Sequence, residues 1–393
     1  MSKNIANYVG YSTEMEYKSG DGNKGIWTFF HQIFFKYRGE WKLYDPFSDG
    51  TIVLSVVYTS PTVIPGPSRA PQPSKIEIIA AGAGGGHDTY LLLGGGATLP
   101  TSQTGGAGQG GFTAARFDIP SSQDIVVAVG TSGIGANGYA YSTTSPGAGG
   151  VSYPPGVGVG GPANPSGYPG QYGGGGGGGF SGVFAVPPAS PVVPAINQGN
   201  ALLIAGGGGG NRYSGGIGGN GGGLTADAAP NPGTGGGGGG GTQIGGGSGG
   251  TNQPGSPPIT SGSGTALNGG INGAGPEPAW AYGGGGGGAG YFGGGGGGGS
   301  SSSSGSNSGG GGGGSGYLNT GSPYYVVSPF NRTNVGMGDP TMGTGLTPAP
   351  PGGPTWSPGL GKDHPQIAPY WASNPTKYGA GQTPGVVIIN YYG

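Results

Sequence analysis

The sequence predicts a mainly β and extended protein, in which packed polyglycine II helices lie beside a small antiparallel sheet and follow a small N-terminal module containing one helix. Three observations predict this fold class. Glycine supplies 108 of the 393 residues, whereas about 7% is ordinary usage. The glycines form six uninterrupted runs of five to seven residues, and short β-prone segments bracket these runs.

Residues 1–60 are predicted to form an attachment module. Apolar residues recur at helical spacing from Ile26 to Tyr37, which predicts the helix, and the β-branched segment Thr51–Tyr58 predicts a strand. The aromatic helix face either forms an ordinary small core or docks on a larger assembly. Because so short a module buries little area, a partner or self-association is expected. The docking candidates are Trp27, Phe30, Phe34, Tyr37 and Trp41.

A proline-rich linker is predicted at 61–74, where five prolines favour a stiff, extended chain. Residues 75–393 are predicted to form one glycine-rich domain. Five more strands are expected there, because each segment is short, apolar or alternating, and bounded by glycine or proline. These strands are Lys75–Ala81, Phe112–Ile119, Asp124–Val129, Ala201–Ala205 and Val386–Tyr391. Their wide separation in sequence suggests that they pair into one small antiparallel sheet bracketing the glycine runs.

The glycine runs have two competing interpretations, a disordered linker and a packed bundle; collagen is excluded because its glycines recur at every third position. An extended three-fold helix makes no internal hydrogen bonds, so its amides and carbonyls need outside partners. Ordering a residue costs about 1–2 kcal/mol, and a hydrogen bond returns about 0.5–1.5 kcal/mol, so a single run alone stays disordered. Similar run lengths and aromatic residues at run ends favour the bundle. The runs are Gly173–Gly179, Gly206–Gly210, Gly235–Gly241, Gly283–Gly288, Gly293–Gly299 and Gly309–Gly314.

Catalytic and cofactor chemistry is not expected. His31, His87 and His364 lack metal-ligand spacing, the carboxylates are scattered, and there are no cysteines. The G-x-G-x-x-G pattern carries no meaning in polyglycine, because no helix follows the runs. The formal net charge of −1 gives no field that attracts nucleic acid. We therefore predict no enzyme activity, no cofactor, no metal and no nucleic-acid partner.

Recognition surfaces are predicted in the long segments between glycine runs, above all Asn137–Tyr172, Thr251–Tyr282 and Tyr317–Thr383. These segments are rich in tyrosine, asparagine and serine, a composition typical of loop-based binding surfaces. The alternative is that individual tyrosines wrap the bundle. The receptor-binding candidates are Tyr139, Tyr141, Tyr153, Trp280, Trp356, Tyr370 and Trp371.

The order KIEIIAAGAGGG, GGAGQGGFTAARFDIP, DIVVAVGTSG, ALLIAGGGGG and GVVIINYY resembles the glycine-rich domain of phage tail and fibre proteins over residues 74–393. The start, GIWTFFHQIFFKYRGEW, is similar to a motif of marine phage structural proteins, which implies attachment through Gly25–Trp41. The resemblance also extends to phage tip adhesins, whose polyglycine sandwich carries variable host-binding loops. Long loops and the aromatic module depart from that pattern and leave tip, side-fibre and structural roles open.

Three hypotheses about the function therefore remain. The first is a virion adhesin or tail fibre that contacts other virion proteins through residues 1–60 and binds a host surface glycan or protein. The second is a structural fibre or decoration protein without receptor contact, and the third is an ice-binding or matrix protein. No membrane span and no signal peptide are apparent in the sequence. We therefore expect synthesis in the host cytoplasm and a location in the virion, with no insertion into a membrane.

Overall fold

The structure is a computed structural model of the 393-residue chain. The residues that it describes are 52–66, 74–86, 106–135, 147–153, 158–161, 174–188, 195–212, 217–230, 235–252, 261–272, 283–300, 308–328, 332–334 and 384–392. The predicted N-terminal helix and its docking candidates, Trp27, Phe30, Phe34, Tyr37 and Trp41, lie outside these ranges.

The described residues form eleven strands and one short 3-10 helix, Gln198–Asn200. The strands are β1 Ile52–Tyr58, β2 Thr62–Ile64, β3 Lys75–Ala81, β4 Phe112–Asp118, β5 Asp124–Ala128, β6 Ser181–Val186, β7 Ala201–Ala205, β8 Tyr317–Leu318, β9 Tyr325–Val326, β10 Arg332–Asn334 and β11 Val386–Tyr392. One sheet has the order β1-β11-β3-β4-β10, with β9 also paired to β4, and the other has the order β2-β5-β6-β7-β8. Every pair is antiparallel.

The predicted class, mainly β with antiparallel pairing, is confirmed, and the six predicted strands appear within one residue of their expected bounds. The prediction of one small sheet is wrong, because the strands divide between two sheets. Five strands also fall where none was expected, including β8, β9 and β10 in the predicted recognition segment Tyr317–Thr383. β6 follows a glycine run, and β2 lies within the predicted linker 61–74.

The first two strands link the predicted modules. β1 pairs with β11, and β2 pairs with β5, so both complete sheets of the glycine-rich part of the chain. Among the described residues, the boundary of this domain therefore lies at or before Ile52, rather than at residue 75. The sequence did not predict this boundary, because a proline-rich stretch is typical of a linker. Proline is nevertheless compatible with short edge strands.

The main core lies between the two sheets. Alternate residues of β3, Ile76, Ile78 and Ala80, are fully buried and join a cluster that includes Phe117 of β4 and Leu203 of β7. Burial of one large apolar side chain stabilises a fold by about 1.5–3 kcal/mol. This side-chain core therefore anchors the strands from which the glycine segments extend.

Glycine segments continue directly from the strands. β3 runs into Gly82, β7 runs into Gly206, and Gly111 leads into β4. Backbone hydrogen bonds join these continuations, from Gly82 N to Gly111 O at 2.9 Å and from Gly111 N to Gly206 O at 2.7 Å. The sheets thus occupy one end of a bundle of glycine segments.

Hydrogen bonding within the bundle has a period of three residues. In segment 206–211, the amides at positions 207 and 210 donate to segment 286–289. Those at 208 and 211 donate to segment 83–86, and that at 209 donates to Gly219. Every third amide of this segment therefore donates to the same neighbouring segment.

Segment 309–315 shows how such chains fill space. Its amides donate to segments 292–298 and 207–210 and to Asp227. Its carbonyls accept from segments 285–288, 238–241 and 219–222. The segment is thereby surrounded by backbone on all sides, and its glycines are buried. Backbone groups, rather than side chains, form this second core.

Segments at the surface of the bundle carry a side chain at every third position. These positions have room for a Cβ, whereas a Cβ at the neighbouring Gly133, Gly149 or Gly249 would come well under 3.0 Å from backbone atoms. The exposed pairs are Thr131 and Ile134, Ala148 and Val151, Thr225 and Ala228, Ser248 and Thr251, and Ser263 and Ala266.

Candidate functional surface at the distal end of the bundle

The end of the bundle opposite the sheets is here called the distal end. It contains the described residues that flank most of the undescribed ranges. Asn211 N donates to Gly86 O at 3.2 Å, and Gly175 N donates to Asn211 O at 3.0 Å. Gly285 N donates to Gly309 O, and Gly309 N donates to Gly298 O. Residues far apart in sequence are thus brought together where their segments leave the bundle.

Described residues that flank eight undescribed ranges lie at or near this distal end. These ranges are 87–105, 136–146, 162–173, 213–216, 231–234, 253–260, 273–282 and 301–307. The bundle therefore brings flanking residues that are far apart in sequence to one end. Three predicted receptor-binding residues, Tyr139, Tyr141 and Trp280, belong to two of these segments, and their side chains lie outside the described residues. Nothing in their sequence separation predicts that both segments start from the same end.

At the distal end, polar side chains form hydrogen bonds with the last backbone groups of the glycine segments. Asn252 Oδ1 accepts a hydrogen bond from Gly299 N at 2.9 Å, and Asn272 Nδ2 donates to Gly284 O at 2.6 Å. Terminal amides and carbonyls have no further segment to bond, so side-chain groups satisfy them. The fully buried polar residues at this end are Asn211, Asn272, Ser300 and Ser308. The sequence signal for these caps is an asparagine or serine directly beside a glycine run.

One cation lies among these capping groups. Arg212 Nη1 donates to the Ser308 carbonyl oxygen at 3.1 Å. Burial lowers the pKa of the Arg212 guanidinium, although arginine stays protonated at neutral pH. The distal end therefore carries a positive charge next to segments 213–216 and 301–307.

Tyr153 does not lie on an exposed surface. Only 5% of it is accessible, and it belongs to a cluster with Phe180 and Phe184 near the sheets. Burial raises the pKa of its hydroxyl. The structure therefore removes Tyr153 from the receptor-binding candidates, because contacts with residues distant in sequence place it inside the core.

The three C-terminal candidates, Trp356, Tyr370 and Trp371, fall in segment 335–383, outside the described residues. That segment starts after β10 and ends before β11. Asn334 pairs with Phe112, and Val386 pairs with Ala81, so both flanks lie where the sheet meets the glycine segments. These candidates thus do not share the origin of the distal segments.

Aromatic residues at the run ends close the bundle against the sheets. Phe180 is fully buried, with its ring centroid 6.0 Å from that of Phe184. Tyr291 and Tyr317 stack at 3.9 Å with an interplanar angle of 6°. Burial, followed by the neighbouring Tyr291, raises the pKa of the Tyr317 hydroxyl. These contacts match the sequence argument that aromatic side chains seal the run ends.

A buried ionic network on the first sheet was not predicted. Glu77 Oε2 accepts hydrogen bonds from Arg116 Nε at 3.0 Å, from Arg116 Nη2 at 2.8 Å and from Tyr392 OH at 3.0 Å. Glu77 Oε1 accepts from Asn390 Nδ2 at 3.0 Å. Burial, together with the Glu77 charge, raises the pKa of Tyr392 to about 12. All groups have partners here, so the network links β3, β4 and β11 rather than forming a reactive site.

Asp227 is half-buried in a surface segment of the glycine bundle and is expected to make stability depend on pH. Burial raises the pKa of its carboxyl, while a hydrogen bond from Asn220 Nδ2 to Asp227 Oδ2 at 3.1 Å acts in the opposite direction. Because the folded-state pKa is raised, stability is highest below the unfolded pKa of about 3.9 and falls as pH rises through the folded-state value.

We therefore expect Asp227→Asn, which keeps an oxygen acceptor for Asn220, to raise the Tm modestly at pH 7. The two proteins should converge at pH 3.5, where the wild-type carboxyl is largely protonated. The matched control is Asp118→Asn, because Asp118 is exposed at the end of β4. Thermal unfolding followed by circular dichroism at both pH values measures the effect. An equal shift at the two pH values would contradict a titration of Asp227.

Metal and membrane signatures are absent from the described ranges. No group of three or more His, Cys, Asp or Glu side chains converges there to hold a metal ion. No described helix has both the length and the hydropathy needed to cross a bilayer. No protein-family model matches the chain, and no curated protein matches it.

Proposed function

We propose that the glycine segments are polyglycine II helices that form a rigid display scaffold. Three residues per turn is the repeat of this extended helix, and the hydrogen bonds of segment 206–211 return to each neighbour every third residue. In the described bundle, positive φ among glycines is confined to positions 158, 222 and 223. Extended glycine chains that share amide-to-carbonyl bonds account for both observations.

We further propose that the protein is a phage virion component, a tail fibre or adhesin, and not an enzyme. One observation carries this proposal: the described residues that flank eight undescribed ranges, including those that contain Tyr139, Tyr141 and Trp280, lie at or near the distal end. A rigid scaffold that gathers tyrosine- and tryptophan-bearing segments at one end suits recognition of a surface, because the scaffold is already ordered before binding. The partner on the host is a surface glycan or a surface protein.

The opposite end of the molecule suits attachment to the particle. Ile52 pairs with Tyr392, whereas the other end of β11 pairs with Ala81, which leads into the glycine segments. Residue 52 therefore lies at the end of β1 farthest from the bundle, and residues 1–51 join the domain there. In this proposal those residues bind other virion proteins, while the distal end faces the host.

Adsorption of particles tests the receptor role. In particles assembled with the variant chain, Tyr139→Ser, Tyr141→Ser and Trp280→Ser combined should raise the dissociation constant for reversible adsorption to host cells at least about tenfold, because losing aromatic anchors costs more than about 1.4 kcal/mol. The matched control is Ser303→Ala in segment 301–307, which leaves from the same end.

The measurement also separates the adhesin from a structural role. Normal particle yield with lost adsorption supports an adhesin. Normal yield and unchanged adsorption overturn the receptor function in favour of a structural fibre or decoration protein. Particle yield is scored by electron microscopy, and folding of the variant chain is checked by circular dichroism.

A further inference from the structure

β1 is an edge strand with an unusual surface. It spans seven residues, whereas the other strands at sheet edges, β2, β8 and β10, have three residues or fewer. No described strand pairs with its outer edge. Natural proteins protect such edges with charges, prolines or short length, but the sequence between Asp49 and Arg69 carries no charge.

Apolar side chains are exposed on both faces of β1. Leu54, Val56 and Tyr58 pair with residues of β11 that point into the core between the sheets, while Val57 pairs with Ile388 on the opposite face. Leu54 is 39% exposed and Val57 is 46% exposed. Exposure on both faces is what remains when a neighbouring strand is missing from a sheet.

We propose that the missing strand is β1 of a second copy of this chain, which makes β1 the contact of a symmetric dimer. In an antiparallel pair centred on Val56, Leu54 lies opposite the partner's Tyr58, and Val56 lies opposite its own copy. Ser55 and Val57 then face each other on the other side of the sheet. This register uses only the regular part of β1, since the pairing with β11 shifts between Ile52 and Leu54.

Charge and symmetry select a second copy over an unrelated strand. A two-fold axis places a strand against itself, so any charged residue near the centre would meet a like charge. β1 carries none, and its core-side residues are Leu54, Val56 and Tyr58, so the pairing extends the largely apolar face of the sheet. Five paired residues on each chain are few for an interface, so we expect a weak dimer whose population depends on concentration.

The pairing also fixes the direction of the two molecules. β1 runs towards the glycine segments, because Tyr58 pairs with Val387 beside the start of β11. An antiparallel partner runs the other way, so the distal ends of the two bundles point in opposite directions. The inference rests on β1 alone and does not depend on the receptor function proposed above.

Analytical ultracentrifugation of the full-length chain tests the dimer. The wild type should sediment as a monomer–dimer mixture, and Leu54→Lys combined with Val57→Lys should raise the dissociation constant at least tenfold. The control combines Ile217→Lys and Ile271→Lys, which are 48% and 46% exposed elsewhere and should leave it unchanged. A wild type that stays monomeric, or equal dissociation constants for both double variants, overturns the proposal.

A cross-link supplies a second measurement that does not need lysine on the edge. The chain has no cysteine, so Val56→Cys introduces a single thiol at the proposed two-fold axis. Directly opposed residues of antiparallel strands have Cα atoms within the span of a disulfide. Oxidation should give a covalent dimer, whereas Thr59→Cys, just beyond the strand, should not. Equal cross-linking of the two variants, or no cross-linking at position 56, overturns the register. If the β1 amides of a monomer were protected from hydrogen exchange, residues 1–51 would instead be the partner of this edge.

Discussion

Gly312→Ala is expected to destabilise the protein by at least about 3 kcal/mol, through overpacking and lost hydrogen bonds. Gly312 lies in the buried segment whose backbone bonds to all surrounding segments. A Cβ at this position would come well under 3.0 Å from the carbonyl oxygen of Gly239. The obstacle is a backbone group rather than a flexible side chain, so whole segments must separate. Urea unfolding followed by circular dichroism measures the loss.

Gly245→Ala is the matched control, because it makes the same chemical change at the surface of the same bundle. An added Cβ there has nothing within 4 Å, and the backbone of Gly245 is not in the left-handed region. We expect no loss of stability and a gain of about 0.4–1 kcal/mol, since alanine has less freedom than glycine when unfolded. Similar losses for both variants would show that glycine serves only for flexibility, and the packed bundle would be excluded.

The sequence predicted six of the eleven described strands, and it predicted their arrangement poorly. β3 and β7 carry dense runs of isoleucine, leucine and alanine, so local pattern was sufficient to place them. β6 was missed because it begins Ser181-Gly182, which weakens strand propensity, and becomes a strand through pairing with β5 and β7. The division into two sheets depends on such long-range pairing, which local propensity does not encode.

The candidate surface was predicted only in part. Composition identified the segments rich in tyrosine, but it could not show which of them leave from the same end, because that depends on hydrogen bonds between distant segments such as 206–211 and 83–86. The sequence also predicts Tyr153 at a binding surface, whereas the structure buries it. Its burial follows from contacts with residues that lie far along the chain, such as Phe180 and Phe184.

The buried network around Glu77 is expected to give the second large effect. Side-chain exposure is 12% for Arg116 and 7% for Glu77, and two nitrogens of the guanidinium donate to one carboxylate oxygen. Glu77→Ala takes this carboxylate away from Arg116, Asn390 and Tyr392 at once. Removing one partner of a buried ion pair costs about 3–5 kcal/mol, because the remaining charge stays desolvated. We expect a loss in this range at pH 7, measured by urea unfolding.

Replacing both Glu77 and Arg116 separates the cost of leaving one buried charge unpaired from the stability that the ion pair itself contributes. Glu77→Leu combined with Arg116→Met keeps side-chain volume and leaves no buried charge, so it should lose less than half as much stability as Glu77→Ala. Burial, together with the Glu77 charge, raises the pKa of Tyr392 to about 12, whereas Arg116 acts in the opposite direction. Tyr392 should therefore titrate at lower pH in Glu77→Ala, which keeps Arg116, and absorbance of the phenolate can follow this change. If the double variant is as unstable as Glu77→Ala, the ion pair itself stabilises the sheet. A fold that relies on backbone bonds throughout its bundle would then also depend on this one cluster of charged side chains to hold β3, β4 and β11 together.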